Sequence, residues 1–454
     1  MSFFSYSFGC RVNEAEKEEI DCKMSLNGFR FDKNKPDIFI INSCSVTNKA
    51  EREARQLIYQ TKKKLPEAKI VVTGCSATYW LKNNLYKDLP IDIIIDNVNK
   101  EYLVDLIKKR LNIENLASFH LGGGSGNFQN QNKFIDSGRL MVKIQDGCQR
   151  YCSFCIVPYL RGMPKSERIK SILSRISSYA KASEDKKNLG REVKEVIFTA
   201  INTEAFGYDT GETLIQLIQQ TLTDSTVPRI SFGSIHPWSI NNEFINYYKN
   251  ILPLKRLVNF FHVPIQSGSN KILNLMKRGY TQEVMMEKLH KLHKINPLAL
   301  IATDVIAGFL RETEKDFQDT YDFLEKSPIS KFHIFRFSNR DNTAAHYMKK
   351  NLKEPSSAVK MKRAKILADL GKKKYEEFLK KNVGRTSAVL LLNTVVDGCR
   401  EGLLDNQLPV YVRTLKNFNG QIKKVKILKC KIGKLFGKIV DDTGLEPVTF
   451  TMSM

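Results

Sequence analysis

The chain has few acidic residues, no long apolar run and no even set of cysteines. Its 454 residues include 48 Asp and Glu against 72 Lys and Arg, a formal net charge of +24. No apolar run approaches the ~18 residues that cross a bilayer, and the apolar start at residues 1–4 is too short for a secretory signal. Nine cysteines, an odd number, do not form a closed disulfide framework. These absences predict a soluble cytoplasmic protein with no membrane partner, whose clustered thiols bind metal.

The positive charge is concentrated towards the C-terminal end. Residues 360–438 contain 20 Lys and Arg against 6 Asp and Glu, a net charge of +14. An excess of this size predicts a polyanionic partner, most simply a nucleic acid. The alternative is a solvated basic face that keeps the protein soluble.

Three cysteines lie close together in the sequence: Cys148, Cys152 and Cys155. Their C-x3-C-x2-C spacing is typical of an iron–sulfur cluster that has three protein ligands and one open iron. Structural zinc normally takes four ligands, and no CxxC pair or histidine pair nearby completes a zinc set. The alternatives are a fragment of a zinc ribbon or buried structural thiols. We expect a cluster whose open iron takes part in a reaction.

A second group of cysteines follows predicted strands. The strands are expected at residues 3–8, 37–41 and 69–73. Helical stretches separate them, which predicts an N-terminal parallel α/β domain. Cys10, Cys44 and Cys75 then lie just past the carboxyl ends of these strands, the edge where open α/β sheets bind ligands. We expect the three thiols to converge on a second cluster site. The remaining cysteines are interpreted as packing thiols: Cys22, Cys399 and Cys430.

The predicted organisation has three folded parts. A domain at 1–115 is followed by a glycine-rich linker at 116–133. A core at 134–358 alternates strands with helical runs, which predicts an open (βα)6 barrel with its chemistry at the carboxyl-end face. Its strands are expected at 140–144, 193–201, 229–235, 258–265, 300–306 and 332–337.

A lysine-rich helix at 359–381 leads into a C-terminal segment, 382–454. Short apolar runs broken by glycines predict a small antiparallel β-barrel there. Basic residues interleaved with Tyr411 and Phe418 suit RNA binding through phosphate contacts and base stacking. A structural cap on the larger barrel is the alternative.

Taken together, these features resemble the radical S-adenosylmethionine methylthiotransferase family. Any one motif is a weak signal, but several in the family's order are strong. They are GCRVN at 9–13, NSCSVTNKA at 42–50, TGC at 73–75, CQRYCSFC at 148–155, HVPIQSGS at 262–269 and MKRGY at 276–280. The resemblance covers nearly the whole chain, and the C-terminal barrel is similar to the TRAM domain of family members.

The resemblance implies two [4Fe–4S] clusters and S-adenosylmethionine as cofactors. The cluster on Cys148, Cys152 and Cys155 would cleave S-adenosylmethionine to a deoxyadenosyl radical. An auxiliary cluster held by the other trio would present the sulfur; that trio is Cys10, Cys44 and Cys75. Side chains at strand ends are expected to contact S-adenosylmethionine, with an ordinary strand-end hydrogen bond as the alternative for each. They are Arg161, Asn202, Ser234, Gln266 and Thr303. Asn13 and Asn42 are expected to donate hydrogen bonds to cluster sulfurs.

The text VTNKA at 46–50 most resembles the branch that methylthiolates C2 of N6-threonylcarbamoyladenosine, next to the anticodon in tRNA. The implied partners are tRNA and an electron donor such as flavodoxin or ferredoxin. The alternatives are the isopentenyladenosine branch, the ribosomal-protein branch, or an RNA-binding protein whose metal clusters are structural.

Three stretches depart from the family's text, and one of them is the glycine-rich stretch after the second barrel strand, which is replaced by TAINTEAFG at 199–207. The other two are loops. GFPGET is replaced by GFLRET at 308–313, with Leu310 and Arg311, and SxRxGT by SNRDNT at 338–343, with Asp341 and Asn342. Loss of proline and glycine changes loop stiffness, and slower turnover is expected.

Overall fold

A five-stranded parallel sheet forms the N-terminal part of the computed structural model, which describes residues 1–113, 138–181, 192–414 and 416–440. The elements are β1 (Ser2–Ser7), α1 (Arg11–Leu26), β2 (Arg30–Phe31), β3 (Ile38–Ser43), α2 (Asn48–Lys64), β4 (Lys69–Gly74), α3 (Cys75–Lys82), β5 (Ile93–Ile94) and α4 (Leu103–Arg110). The strand order is β2-β1-β3-β4-β5. The predicted parallel α/β domain is confirmed, whereas the linker predicted at 116–133 lies outside the described residues.

Both faces of this sheet are covered, which explains the uninterrupted apolar run of β3. Ile38 and Ile40 pack into one core cluster, while Phe39 and Ile41 pack into another. A strand buried on both faces reads as a continuous hydrophobic run. The carboxyl ends of β1, β3 and β4 therefore meet at one edge of a well-packed sheet.

The central part is an open barrel made of two parallel sheets. Its elements are β6 (Arg139–Asp146), α5 (Val157–Arg161), β7 (Lys165–Ser166), α6 (Ile169–Lys181), β8 (Glu195–Ala200), α7 (Leu214–Asp224), β9 (Arg229–Phe232), α8 (Asn242–Ile251), β10 (Phe260–His262), α9 (Asn270–Leu275), α10 (Gln282–Ile295), β11 (Leu300–Ala307), α11 (Glu314–Lys326), β12 (Lys331–Arg336) and α12 (Ala344–Met348).

The two sheets have the orders β7-β6-β8-β9 and β10-β11-β12. A parallel bridge between Ile230 and Leu257 joins them, as does a 2.9 Å hydrogen bond from Ile235 N–H to the carbonyl of His262. All six predicted strands are present, so the open barrel is confirmed. The short antiparallel strand β7 at its edge was not predicted.

The C-terminal part is a closed five-stranded barrel. It comprises α13 (Ser357–Lys381), β13 (Thr386–Val396), β14 (Cys399–Leu403), β15 (Pro409–Arg413), β16 (Ile422–Lys431) and β17 (Lys434–Ile439). Neighbouring strands are antiparallel, as predicted, except that β17 closes the barrel by pairing with β15 in parallel. The exception arises because the β16–β17 hairpin delivers its second strand beside β15 in the same direction.

This small barrel closes the amino-terminal end of the open barrel. Arg229, at the start of β9, donates a 2.7 Å hydrogen bond to the carbonyl of Leu404 in the loop between β14 and β15. The backbone N–H of Asn259 donates to the carbonyl of Asp405 in the same loop, at 2.8 Å. The open barrel is therefore accessible from its carboxyl-end face. Among the described residues, no helix has the length and apolar character needed to cross a membrane.

Candidate active site

The first cysteine trio lies in a loop fixed from both sides. The backbone N–H of Cys148 donates to the carbonyl of Gly162, and that of Ser153 donates to the carbonyl of Met276. Burial raises the pKa of Cys155 to about 12, and the charges of Cys152 and Cys148 contribute in the same direction. The three thiols therefore lie close enough to repel one another when ionised, and a bound metal would favour their thiolate forms.

Arg278 is the main cationic partner of this trio. Its guanidinium donates to Cys152 Sγ at 3.2 Å and to the carbonyl of Pro264 at 2.8 Å. Tyr280 accepts a third hydrogen bond at 2.9 Å, and the guanidinium lies 4.5 Å from the centre of a Trp238 ring. Donors aimed at sulfur stabilise an anionic thiolate cluster. Sequence reasoning missed Arg278 as a sulfur partner, although MKRGY contains it.

The second trio is brought together by the sheet register. β1, β3 and β4 are neighbours, and Cys10, Cys44 and Cys75 follow their carboxyl ends. Burial raises the pKa of Cys44 to about 12, and the charges of Cys75 and Cys10 add to the effect. The three thiols predicted to converge therefore do so in the structure.

Glycine is required beside this trio. Gly9 has φ +93°, and a Cβ there would lie 2.6 Å from Cys44 Sγ. Gly74 has φ +94°, and a Cβ there would lie 2.3 Å from the carbonyl of Ser43. A side chain at either position would displace the neighbouring strand end. The glycines of GCRVN and TGC thus allow the thiols to approach one another.

The ligand type at both sites suits an iron–sulfur cluster. Each trio offers three thiolates, the soft ligands that such clusters take. Structural zinc normally takes four protein ligands. The residues present therefore fit an iron–sulfur cluster that keeps one iron open.

Arg161 joins the segment that follows the first trio to the N-terminal domain that holds the second. It ends α5, just after the first cysteine loop, and its Nε donates to Cys75 Sγ at 3.3 Å. The same guanidinium donates to Glu16 at 2.8 Å, to Asp146 at 2.9 Å and to Asn13 at 2.8 Å. Its side chain is 1% exposed. Arg161 was expected to contact S-adenosylmethionine, but its N–H groups are occupied by these protein partners.

The predicted S-adenosylmethionine contacts lie near the carboxyl-end face, but most serve local structure. The hydroxyl of Thr303 donates to the carbonyl of Val263 at 2.7 Å. Ser234 donates to the carbonyl of His262 at 3.1 Å. The Asn202 side chain accepts from the backbone N–H of Glu204 at 3.2 Å, capping a 3₁₀ turn. For these three, the structure shows ordinary hydrogen bonds to the backbone.

Gln266 differs from the other three. Its backbone has φ +73°, and its backbone N–H bonds the carbonyl of Asp304. Its side-chain amide makes no hydrogen bond to other described residues. Of the predicted set, Gln266 therefore keeps a side chain available to a ligand.

The side-chain amides of the two asparagines expected near the clusters donate to backbone carbonyls. Sulfur does receive the backbone N–H of Asn13: burial raises the pKa of Cys10, and this hydrogen bond opposes the rise. Asn13 Nδ2 donates to the carbonyls of Phe8 and Ser43 at 2.8 and 3.0 Å, and Asn42 Nδ2 donates to the carbonyl of Asn13 at 2.8 Å. Sulfur instead receives a side-chain amide from Asn97, whose Nδ2 lies 3.7 Å from Cys75 Sγ. No sequence motif identified Asn97, because it lies beyond β5.

The two altered loops place non-glycine residues at positions with positive φ. Arg311 and Asn342, which stand where those motifs have glycine, have φ +58° and +65°. A non-glycine residue in this region is strained, more so for arginine than for asparagine. Leu310 is fully buried, and Asp341 accepts a 3.0 Å hydrogen bond from Tyr79 of α3. The side chains of Leu310 and Asp341 therefore make specific contacts within the fold.

Comparison with known proteins identifies the family. Residues 2–96 match a family described as Uncharacterized protein family UPF0004, and residues 142–324 match the Radical SAM superfamily. Threonylcarbamoyladenosine tRNA methylthiotransferase MtaB of Aquifex aeolicus is 32% identical over 85% of this chain and 92% of its own length. The chain belongs to the radical S-adenosylmethionine methylthiotransferase family.

Further methylthiotransferases are similar over comparable lengths. The tRNA-2-methylthio-N(6)-dimethylallyladenosine synthase of Petrotoga mobilis is 31% identical over 97% of this chain and 100% of its own. MtaB of Bacillus subtilis is 29% identical over 93% of each chain. The predicted family and enzyme class are confirmed. Family membership implies S-adenosylmethionine and [4Fe–4S] clusters as cofactors and methylthiolation of tRNA as the reaction.

Proposed function

We propose that this methylthiotransferase modifies C2 of N6-threonylcarbamoyladenosine in tRNA, next to the anticodon. Cys148, Cys152 and Cys155 hold the cluster that binds S-adenosylmethionine. The second trio holds an auxiliary cluster that presents the sulfur, and its members are Cys10, Cys44 and Cys75. The electron donor we propose is a flavodoxin or a ferredoxin.

The observation that supports this proposal most directly is the set of contacts made by Arg161. One buried guanidinium follows the first trio in the chain and donates to Cys75 of the second. Two cluster sites at one shared face suit a reaction in which one centre activates a substrate carbon and the other delivers sulfur. C2 of a purine has no acidic proton, so side-chain bases alone do not functionalise it. When bound, the cluster and S-adenosylmethionine supply a radical that removes hydrogen from such a carbon.

The C-terminal barrel supplies a surface suited to RNA. On β16, Val425 and Ile427 are buried in the barrel, while Lys426 between them is exposed. Lys423 lies 4.8 Å from the ring of Phe418, and Lys434 lies 5.0 Å from that of Tyr411. Phosphate contacts and base stacking on such a face would hold tRNA in a sequence-tolerant way.

Two substrates are candidates because the similar proteins are named for two different tRNA methylthiolation reactions. VTNKA at 46–50 and the Aquifex aeolicus relative favour the threonylcarbamoyl substituent. The Petrotoga mobilis relative favours the dimethylallyl substituent as the second candidate. The first carries a carboxylate and a hydroxyl, whereas the second is a hydrocarbon.

Mass spectrometry of tRNA nucleosides from a strain lacking this gene tests the choice. We expect 2-methylthio-N6-threonylcarbamoyladenosine to be absent and to return when the gene is supplied in trans. Complementation with Cys152→Ala should leave it absent. Persistence of this nucleoside in the deletion strain, together with loss of the dimethylallyl product, would establish the second candidate instead.

A further inference from the structure

Arg11 begins α1 directly after Cys10 and extends its side chain into the open barrel. Its Cζ lies 5.8 Å from the centre of the Phe260 ring, on the first strand of the second sheet. A Cβ atom on Gly233 would lie 3.1 Å from Arg11 Cδ. Glycine at 233 therefore leaves the space that the arginine side chain occupies.

Arg11 has no anionic partner among the residues that the structure describes. Within the described residues, the guanidinium of Arg11 donates no hydrogen bond and forms no ion pair. Glu195 and Glu14 affect its pKa only through their charges. Burial, followed by the charge of Arg139, lowers the pKa of Arg11. An unpaired cation that is partly removed from water costs free energy. The side chain is thus able to bind an anion that the protein does not provide.

A polar group lies above Arg11 on the same face of the sheet. His262 Nε2 is 2.9 Å from Asp304 Oδ1, and His333 Nδ1 is 3.2 Å from the same oxygen. The three come from neighbouring strands, and His262 follows Phe260 by two residues, so both side chains point to one face. Burial opposes ionisation of Asp304, but the hydrogen bonds from His262 and His333 hold its pKa below the usual range.

His333 leaves a ring nitrogen available. Its side chain is 43% exposed, compared with 13% for His262. The other nitrogen of His262 lies 3.2 Å from Ser234 Oγ. Within the described part of the chain, Nε2 of His333 has no partner. Asp304 therefore orients an imidazole whose outer edge faces open space.

The pocket lies at the same mouth as the cysteines. The backbone of His262 accepts from Ile235, in the loop after β9. That loop also contains Trp238, whose ring lies 4.5 Å from the guanidinium of Arg278. Arg278 in turn donates to Cys152. Arg11 follows Cys10 of the other trio directly in the chain, so residues of the pocket are linked to both trios.

The charges that face the pocket favour an anion. Arg11 and Lys331 are cationic, and His262 and His333 present ring nitrogens. The carboxylates near these groups are Asp304, Glu14 and Glu195, and Glu195 is paired with Arg139 and Arg229. Lys331 is two residues before His333 on β12, and burial followed by the charge of Arg11 lowers its pKa. The three ligand atoms of the polar group lie within 4.8 Å, close enough for a divalent cation. Such a cation would add to the positive charge of Arg11 and Lys331, which disfavours it.

We propose that Arg11 and the His262–Asp304–His333 group form the pocket that recognises the N6 substituent of the nucleoside, with Arg11 binding its carboxylate. His333, oriented by Asp304, bonds the hydroxyl or carbamoyl group. The proposal rests on the proposed function and deepens it by assigning substrate specificity to these residues. A hydrocarbon substituent would leave the guanidinium and the imidazole unpaired on desolvation, which is a strong basis for rejection.

The test uses the reconstituted full-length enzyme and two anticodon stem-loop RNAs that differ only in the N6 substituent, threonylcarbamoyl or dimethylallyl. The readout is kcat/KM for methylthiolation of each RNA. Arg11→Gln should lower the ratio of threonylcarbamoyl to dimethylallyl activity about 100-fold, mainly through KM, because a hydrogen-bonded charge pair is lost. Arg11→Lys should restore part of the ratio. Lys23→Gln, which removes an exposed charge from the same helix, should leave the ratio unchanged.

His333→Gln provides a second variant on another strand, with an expected loss of about 10-fold in the same ratio. An equal loss for both RNAs in Arg11→Gln and His333→Gln would overturn the inference, since the residues would then have a structural role. So would a stoichiometric divalent metal other than iron that is lost in Asp304→Asn. If the wild-type enzyme instead prefers the dimethylallyl RNA, the proposed function fails, and that result is distinct from an unchanged ratio in the variants.

Discussion

The two cysteine trios reach similar arrangements by different routes. The first occupies one loop, residues 148–155, whose backbone is fixed by hydrogen bonds to Gly162 and Met276. The second is gathered from three strand ends and depends on the register of β1, β3 and β4. A local loop keeps its geometry wherever its anchors hold, whereas a dispersed site exists only while the sheet is folded. Formation of the second site is therefore coupled to the folding of its domain.

Removing one thiol from each trio should separate their roles most strongly. Cys152→Ala is expected to abolish dithionite-dependent release of 5′-deoxyadenosine, and Cys44→Ala is expected to retain that release but lose methylthiolation. Each variant should fall from about eight to about four irons per chain, because each loses one [4Fe–4S] cluster. Anaerobic reconstitution, iron analysis and chromatography measure these quantities. Loss of S-adenosylmethionine cleavage in both variants would show that the trios do not act independently.

Replacing the arginine partners should have intermediate effects that differ between the trios. Arg161→Gln removes a buried cation from Glu16 and Asp146, which keep Lys143, so we expect the N-terminal domain to dock less stably, by up to about 3 kcal/mol. Arg278→Gln removes a donor from Cys152 and should lower 5′-deoxyadenosine release about 10- to 100-fold. Urea denaturation and the release assay measure the two outcomes.

Lys291→Ala is the matched control for the first of these effects. It removes an exposed ion pair with Glu287, which should contribute less than about 1 kcal/mol. If Arg161→Gln and Lys291→Ala shift the denaturation midpoint equally, the contacts of Arg161 do not stabilise the docking of the N-terminal domain.

The smallest expected effect concerns Asn97, the side-chain amide that lies 3.7 Å from Cys75 Sγ. Asn97→Leu should lower the reduction potential of the auxiliary cluster by tens of millivolts, since an N–H···S contact that stabilises the reduced form is lost. The other cluster should keep its potential. Redox titration followed by electron paramagnetic resonance resolves the two, and Asn99→Ala, which alters an exposed amide nearby, is the control.

Sequence reasoning was sufficient for features that depend on local order. Short stretches of sequence are enough to show the spacing of Cys148, Cys152 and Cys155. They also show that each cysteine of the other trio follows a strand. The residues it missed or misplaced depend on packing over long separations. Arg278 and Asn97 reach sulfur from distant elements, and the guanidinium of Arg161 is occupied by Glu16 of the N-terminal domain and by Asp146 of its own domain. The pattern of apolar and polar residues along the sequence does not predict such contacts.

The same distinction applies to the strands. The six core strands have apolar runs of their own, so their existence was predictable. β7 consists of two residues, and its pairing with β6 depends on the intervening cysteine loop. The parallel pairing of β15 with β17 is decided by barrel closure, which no single strand encodes. Domain limits at 115, 134, 359 and 382 stay predictions.

The loop between β14 and β15 is the floor of the catalytic barrel. Ribosomes synthesise chains from the amino end, so both cysteine trios are made well before this floor exists. Until residues 404–408 are in place, the lower end of the barrel is open to water, which would quench a reactive intermediate. Closure of the lower end of the barrel therefore depends on a segment that is synthesised after both cysteine trios.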